Sequence, residues 1–430
     1  GMPLLANFQA GVFYTLNFIF FLFNFTTAWT IFIIIQPFLA SWFLYAFLRH
    51  HRLSPLASAL AALTWIFSGF FVVWLQWGNI GHTLLWLPLI LLAIDKIIKR
   101  KSRFWPLILI FALASQFFAG HLQIAFYVLL ASLIYTAWRI IQSPNKSKLI
   151  LLFTMCYTLF AIATAVQWLP TLQLIKLSAR DIDQAQTLAR PDWFLPWQNL
   201  VQFIAPDFFG NPATLNYFGA WNYSEFVGYI GLIPLILGLL AFTHKSTRSH
   251  RLFWFASALT IGGLLLALPT PLAKLPFALN LPLISAAQPS RLLALITFGL
   301  SILAGLGFDA LLGHKLRFWP IILVAIVLLG LWPIALFSSP ISQRNLILPT
   351  LIFISFTTVL FLRPKIKFLP YLLLSLIAAD LLRFATKFPP FSPQAYLYPQ
   401  TQAIEFLQTN LGNYRFMTLD RRILPPNAAM

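Results

Sequence analysis

Two Gly-His pairs in this sequence each stand at the beginning of an apolar run. They are Gly81-His82 and Gly120-His121, and a new helix is expected to begin at each of them. The first turn of a helix exposes free N–H groups and the positive end of the helix dipole, which suits an anion such as phosphate. A histidine there adds a proton donor or acceptor near neutral pH. His82 and His121 are therefore candidate phosphate ligands; the alternative is that each only caps its helix or lies at a lipid interface.

Two arginines stand at the ends of other apolar runs. Arg180 closes one run, and Arg291 opens another in the segment Pro289-Ser290-Arg291. A guanidinium can grip a phosphate through two parallel hydrogen bonds, so both arginines are also candidates for phosphate binding. The alternative for each is a long side chain that buries its stem in lipid and keeps its charge in water.

Two carboxylates near these positions are candidate catalytic bases or ligands of sugar hydroxyls. Asp207 lies in Pro206-Asp207-Phe208-Phe209-Gly210, and Glu225 stands just before the next apolar run. Aromatic surroundings can raise the pKa of a carboxyl group and so fit it for proton transfer. The alternative for each acid is an ordinary solvated loop carboxylate. Three aromatic side chains of the same region are candidates for stacking on sugar rings: Trp193, Trp197 and Trp221.

Most of these residues belong to one long polar interruption, residues 178–228. This loop carries five of the ten acids of the chain: Asp181, Asp183, Asp192, Asp207 and Glu225. The sequence on both sides of it is apolar. The apolar segments must therefore position the loop, and any chemistry is expected at their ends.

The composition identifies those apolar segments as membrane spans. Hydrophobic residues make up 60% of the chain and charged residues only 9%, against about 25% charged residues in an ordinary soluble domain. A helix needs about 20 mostly apolar residues to cross a bilayer, and the runs here are continuous rather than alternating, which favours helices over a barrel. The prediction is an all-α polytopic membrane protein with about 12 transmembrane or re-entrant helices. Residues 1–384 form the transmembrane domain, and residues 385–430 begin an extracytoplasmic C-terminal region.

The distribution of charge predicts the orientation of these spans. A net charge of +19 could indicate nucleic-acid binding, but most lysines and arginines lie in short clusters between alternate apolar runs, as the positive-inside rule requires of cytoplasmic loops. With residue 1 outside, every acid except Asp95 and Asp309 falls on the outer side. The 178–228 loop is then outside, a nucleic-acid partner is disfavoured, and Asp95 is expected to be structural.

Several site types have no motif in the sequence. It contains no P-loop, no glycine-rich dinucleotide motif, no His-Glu-x-x-His pair and no second cysteine to pair with Cys156. A cytoplasmic nucleotide site is therefore not expected, Cys156 is expected to pack within a span, and no cofactor is evident. No ligand cluster demands a divalent metal, whose participation is left open.

An ordered set of short motifs resembles the YfhO-like bacterial membrane proteins. The motifs run along nearly the whole chain in the family's order: Gly1-x-Pro3, Phe13-Tyr14, Phe67-Ser68-Gly69, Trp86-Leu87-Pro88, Ala119-Gly120-His121-x-Gln123, Trp168-Leu169-Pro170 to Arg180, Pro206-Asp207-Phe208-Phe209-Gly210, Gly228-Tyr229-Ile230-Gly231-Leu232, and Pro289-Ser290-Arg291 through Leu303-Ala304-Gly305-Leu306-Gly307.

The resemblance implies a place among the GT-C type integral-membrane glycosyltransferases of the bacterial plasma membrane. These proteins resemble one another in having many spans and an outer-face active site, and they use a polyprenyl-phosphate sugar as donor. The acceptor is then a cell-envelope glycan or glycolipid, such as lipoteichoic acid. In this family a span and an outer loop with the usual candidate base precede the Gly-x-Pro element, and a larger outer domain follows. The chain is therefore expected to be an internal fragment, with its base upstream of Gly1.

Three hypotheses follow for function. The first is sugar transfer at the outer face, with a donor phosphate held by positive groups because phosphate as a leaving group needs charge stabilisation. The second is a lipid-linked sugar flippase, which would carry polar residues at mid-membrane depth along a path. The third is a scaffold that binds a partner through its outer loop and tail.

Overall fold

The computed structural model describes residues 3–99, 102–177, 193–279, 281, 284, 287–314, 316–362, 368–388, 393, 397, 400–414 and 416. In these ranges all regular structure is helical. Among the described helices, seven are long and apolar enough to cross a membrane, or up to nine if each of two bent pairs forms one span. The predicted class, an all-α polytopic membrane protein, is confirmed.

The helices are numbered here in chain order. They are α1 (Phe25–His50), α2 (Pro55–Ile66), α3 (Gly69–Val73), α4 (Ile80–Ile98), α5 (Trp105–Phe118), α6 (Leu122–Ile141), α7 (Lys146–Lys176), α8 (Leu232–Ala241), α9 (Arg251–Ala267), α10 (Pro271–Ala278), α11 (Leu293–Gly313), α12 (Trp319–Ser338), α13 (Pro340–Phe361), α14 (Leu369–Ala385) and α15 (Gln402–Asn410). Short helical segments of three to seven residues lie at Phe8–Ala10, Thr15–Phe18, Ile19–Leu22, Leu75–Trp77, Trp197–Phe203, Pro212–Thr214, Tyr223–Glu225, Lys245–Arg248 and Pro289–Leu292.

Each predicted span coincides with one of these helices or with a bent pair. In chain order, the sequence predicts spans at about 26–48, 55–75, 80–98, 104–119, 121–139, 149–175, 226–243, 252–269, 290–312, 318–338, 346–362 and 368–384. The second span is broken by 44° between α2 and the turn of helix that begins at Gly69. Ser68 causes the break locally, because its hydroxyl accepts the N–H of Phe71 and so starts a new helix. The eighth span bends by 68° into α10. Helix α5 is shorter than the length that crosses a bilayer.

Helix α11 is one of the two most buried long helices, together with α4, and it has a glycine on each of two opposite faces. A Cβ atom on Gly305 would lie 3.1 Å from the carbonyl oxygen of Ala57 in α2. A Cβ atom on Gly307 would lie 1.7 Å from the carbonyl oxygen of Leu237 in α8. The two positions are about 200° apart around the helix. Small residues here let two backbones approach α11 from opposite sides, which is how apolar helices pack in lipid.

We expect Gly307→Ala to destabilise the bundle by at least about 1–3 kcal/mol, the usual range for overpacking, because its methyl group meets backbone rather than a side chain that can move. The matched control is Gly330→Ala in α12, where an added Cβ has no neighbour within 4 Å. Thermal unfolding in detergent should show a lower midpoint for Gly307→Ala only. Equal midpoints for the two variants would contradict the close approach of α8 and α11.

A buried ionic cluster lies at the end of the bundle that the charge pattern places in the cytoplasm. Asp95 is its centre: Oδ1 accepts a 2.6 Å hydrogen bond from Nε of Arg139, and Oδ2 accepts one of 2.7 Å from the hydroxyl of Tyr135. Nε2 of His51 lies 2.7 Å from the same Oδ2. The side chain of Asp95 is fully buried. The contacts agree with the structural role expected for Asp95, since they join α1, α4 and α6.

The chain divides into two compact units. One is Leu4–Phe388, which contains α1 to α14, and the other is Gly1–Pro3 with Pro389–Met430. In the second unit, Thr401 caps α15 by accepting the N–H of Ile404. All of the contacts described below lie within Leu4–Phe388.

Candidate functional site

An ion pair between Arg291 and Glu225 lies at the end of the helices opposite the Asp95 cluster. Arg291 belongs to the turn that leads into α11, and Glu225 belongs to the turn Tyr223–Glu225 before α8. Nη2 of Arg291 donates a 2.8 Å hydrogen bond to Oε1 of Glu225, and its Nε lies 3.2 Å from both carboxylate oxygens. The guanidinium plane is therefore fixed against the carboxylate.

The Arg291 guanidinium also contacts a side chain of helix α6 and the ring of Trp74. Nη1 of Arg291 donates a 3.1 Å hydrogen bond to Oε1 of Gln123, whose own Nε2 donates to the backbone oxygen of Gln288 at 2.6 Å. Tyr127 also donates to that oxygen at 3.3 Å. The guanidinium carbon lies 5.7 Å from the ring centre of Trp74. We call Trp74, Gln123, Glu225 and Arg291 the outer site.

Burial within the outer site is uneven. The side chain of Arg291 is 23% exposed and that of Glu225 only 2%. A buried carboxylate therefore neutralises and orients an arginine that still reaches the surface. Such an arrangement is preorganised to donate hydrogen bonds to an anion that arrives from outside.

The two predicted histidines lie near this end of the bundle, but both are buried. Nδ1 of His121 accepts the N–H of Ile124 and so caps α6, which is the alternative considered for it. His82 is fully buried; its Nε2 lies 2.9 Å from the carbonyl oxygen of Phe32, and its Nδ1 lies 2.8 Å from the hydroxyl of Tyr14. Since a carbonyl only accepts, Nε2 carries the proton and Nδ1 accepts from Tyr14. Phosphate binding by either histidine stays a prediction.

Asp207 makes its contacts with residues other than those of the outer site. Its Oδ1 accepts hydrogen bonds from Nδ2 of Asn211 at 2.7 Å and from the hydroxyl of Tyr223 at 3.1 Å, and its Oδ2 pairs with Nζ of Lys387. Its backbone oxygen accepts from Nδ2 of Asn345 in α13 at 2.6 Å. The carboxylate is thus held by three donors, and its prediction as a base is not tested.

The three tryptophans of the outer loop have different surroundings. Trp197 and Trp221 are each 55% exposed, as stacking on a sugar requires. Trp221 also lies four residues before Glu225, with its ring 6.2 Å from that of Phe226. Trp193 is half-buried, next to Phe194, which packs against Phe277 of α10. Arg180, the remaining predicted phosphate ligand, lies outside the described residues.

The sequence prediction did not include Gln123, Trp74 or Lys387. Gln123 stands two residues after His121 in the same motif, so a polar side chain in the first turn of an apolar helix was the available signal. Trp74 gave no signal beyond its aromatic character. Among the described residues no group of three or more acids, histidines or cysteines is arranged to hold a metal ion.

The sequence was compared with protein-family models, curated proteins and solved structures. The family model described as "Bacterial membrane protein YfhO" matches residues 2–391. No curated protein and no solved structure matches the chain.

Proposed function

The chain belongs to the YfhO family of bacterial membrane proteins, and on that premise we propose that it is a glycosyltransferase of the GT-C type. It transfers a sugar from a polyprenyl-phosphate donor to a cell-envelope glycan or glycolipid at the outer face of the plasma membrane. The observation that carries the proposal is the position of Arg291. Its guanidinium is partly exposed and is hydrogen-bonded to Glu225 and Gln123. It lies at the outer end of the bundle, where the positive-inside rule does not require positive charge.

In the proposed reaction a hydroxyl oxygen of the acceptor attacks the first carbon of the donor sugar. The bond from that carbon to the phosphate oxygen breaks, and the electron pair leaves with the polyprenyl phosphate. The hydroxyl proton passes to a carboxylate, for which Glu225 and Asp207 are the candidates within this chain. Arg291 stabilises the negative charge that develops on the departing phosphate, together with Arg180 and the helix ends at His82 and His121.

Glu225 is more suited to holding Arg291 than to taking a proton while the pair is intact. Both of its oxygens already accept hydrogen bonds from the guanidinium. It becomes available as a base only if Arg291 turns toward the donor phosphate. Trp197 and Trp221, which are exposed, offer aromatic faces for the sugar.

The test uses purified full-length protein in lipid vesicles, with radiolabelled polyprenyl-phosphate sugars and envelope acceptors added outside. We expect label to appear in the acceptor and free polyprenyl phosphate to form in equal amount. The alternative, a flippase, predicts that labelled lipid crosses the vesicle membrane with its sugar still attached. Lipid crossing without transfer from any donor would overturn the proposal.

A further inference from the structure

The outer end of α14 contacts the outer loop on both sides of Glu225. Before Glu225, the ring of Tyr223 stacks on that of Phe388 at 5.4 Å, with 20° between their planes. After Glu225, the hydroxyl of Tyr229 donates to Asp380 and lies 2.7 Å from each carboxylate oxygen. Glu225 therefore lies between two tyrosines that are anchored to the same end of one helix.

A second connection reaches Tyr223 through Asp207. Lys387 pairs with Oδ2 of Asp207, and Oδ1 of the same carboxylate accepts the hydroxyl of Tyr223. Burial and the neighbouring Asp207 charge raise the pKa of Tyr223 well above its usual value, so the phenol keeps its proton and acts as the donor. Lys387 is 22% exposed and Asp207 is 7% exposed. The ion pair thus sets the position of a fully buried tyrosine.

The segment between the two tyrosines has little room to move independently. Glu225, Phe226 and Val227 are buried. A Cβ atom on Gly228 would lie 2.2 Å from the ring of Phe203, and the carbonyl oxygen of Tyr229 accepts the N–H of Gly69 at 2.6 Å. In a close-packed segment a displacement at either tyrosine is passed on to its neighbours. A shift of Tyr223 or Tyr229 must therefore displace Glu225.

We propose that Tyr223, Tyr229 and Lys387 are positioning residues of the outer site. From the end of α14 they set where Glu225 stands and, through the Glu225–Arg291 ion pair, where the guanidinium points. The effect on sugar transfer rests on the proposed function, whereas the effect on the loop does not. A displacement of about 1 Å in a reacting group can lower a rate by about 10²-fold, so small losses of anchoring are expected to be visible in kcat.

The experiment compares Tyr229→Phe and Lys387→Ala with matched controls. Tyr371→Phe removes a hydroxyl from an exposed tyrosine of α14, and Lys274→Ala removes an exposed lysine from α10. Lys387→Arg keeps the charge that pairs with Asp207. Each protein is full-length and in lipid nanodiscs, and three quantities are measured: backbone hydrogen exchange, thermal midpoint, and kcat and KM for the donor.

We expect faster exchange at residues 222–229 in the two test variants and in neither control. We also expect a loss of about 10–100-fold in kcat with an unchanged KM. In Lys387→Arg, both the exchange rate at residues 222–229 and kcat should return toward their wild-type values. Exchange at 222–229 equal to wild type would overturn the inference, as would faster exchange along the whole chain with a lower thermal midpoint. If wild type transfers no sugar, the proposed function fails, and the exchange data still decide whether α14 positions the loop.

Discussion

Replacement of Arg291 by alanine is expected to lower the rate of sugar transfer by about 10²–10³-fold, the loss that follows removal of one preorganised donor from a developing negative charge. The guanidinium is the partly exposed cation of the outer site, and Glu225 and Gln123 hold it in one orientation. Arg291→Lys keeps the charge but loses the forked geometry, so its rate should lie between those of alanine and wild type. Initial rates with a saturating labelled donor measure the effect.

The matched control for this prediction is Arg344→Ala, which removes an exposed arginine from the first turns of α13, the helix that contacts Asp207. Its rate should stay within about twofold of wild type, since exposed charges away from specific partners contribute little. Loss of Arg291 also leaves Glu225 buried without its cation. The double variant Arg291→Ala, Glu225→Gln removes that leftover charge. A double variant that folds and transfers at the wild-type rate would refute a role for Arg291 in the reaction.

Replacement of Asp95 by asparagine is expected to reduce the free energy of unfolding by about 3–5 kcal/mol, the usual result of removing one partner from a buried ion pair. The variant would leave Arg139, which is 4% exposed, without its carboxylate and would weaken the bonds from Tyr135 and His51. Sugar transfer by the fraction that stays folded should be close to that of wild type, because the cluster lies at the far end of the helices from the outer site.

Asp309→Asn is the matched control. Asp309 lies at the same end of the bundle, is only partly buried, and accepts the backbone N–H of Ser54 at 3.0 Å. Asparagine keeps an oxygen that can accept this N–H, so the free energy of unfolding should fall by no more than about 0.5–1.5 kcal/mol, the usual contribution of one hydrogen bond. Unfolding in a denaturing detergent, followed by far-UV circular dichroism, measures both. A similar small change in the two variants would show that the Asp95 cluster does not hold α1, α4 and α6 together.

The spans were predictable because each one depends on local composition. A helix in lipid must satisfy its own backbone, so a long apolar run bounded by charge is sufficient to identify it. The break inside the second span was not predicted, although Ser68 is a good helix-capping residue. In a continuous apolar run, a single serine does not reveal whether it starts a new helix or lies inside one.

The outer site was only partly predictable, because its contacts join residues that are far apart in the chain. Arg291 and Glu225 were both expected to lie outside, yet 66 positions separate them and no local pattern indicates that they pair. Lys387 stands 180 positions from Asp207. His82 has the same Gly-His pattern as His121 but is surrounded by Tyr14 and Phe32, which approach from distant segments. The types and spacing of residues in the sequence identify candidate polar groups. Only the packing of the helices determines which of these groups are in contact.

Helix α6 carries residues of both polar clusters: Gln123 binds Arg291 at one end, and Tyr135 and Arg139 bind Asp95 at the other. Gln123 and Arg139 are 16 positions apart, a rise of about 24 Å along the helix, which is somewhat less than the thickness of about 30 Å of a bilayer's hydrocarbon core. Because both of its ends are fastened, α6 cannot slide along its axis. The helix therefore sets the distance along the bundle between the two polar clusters, and a thicker or thinner membrane must adapt to the protein.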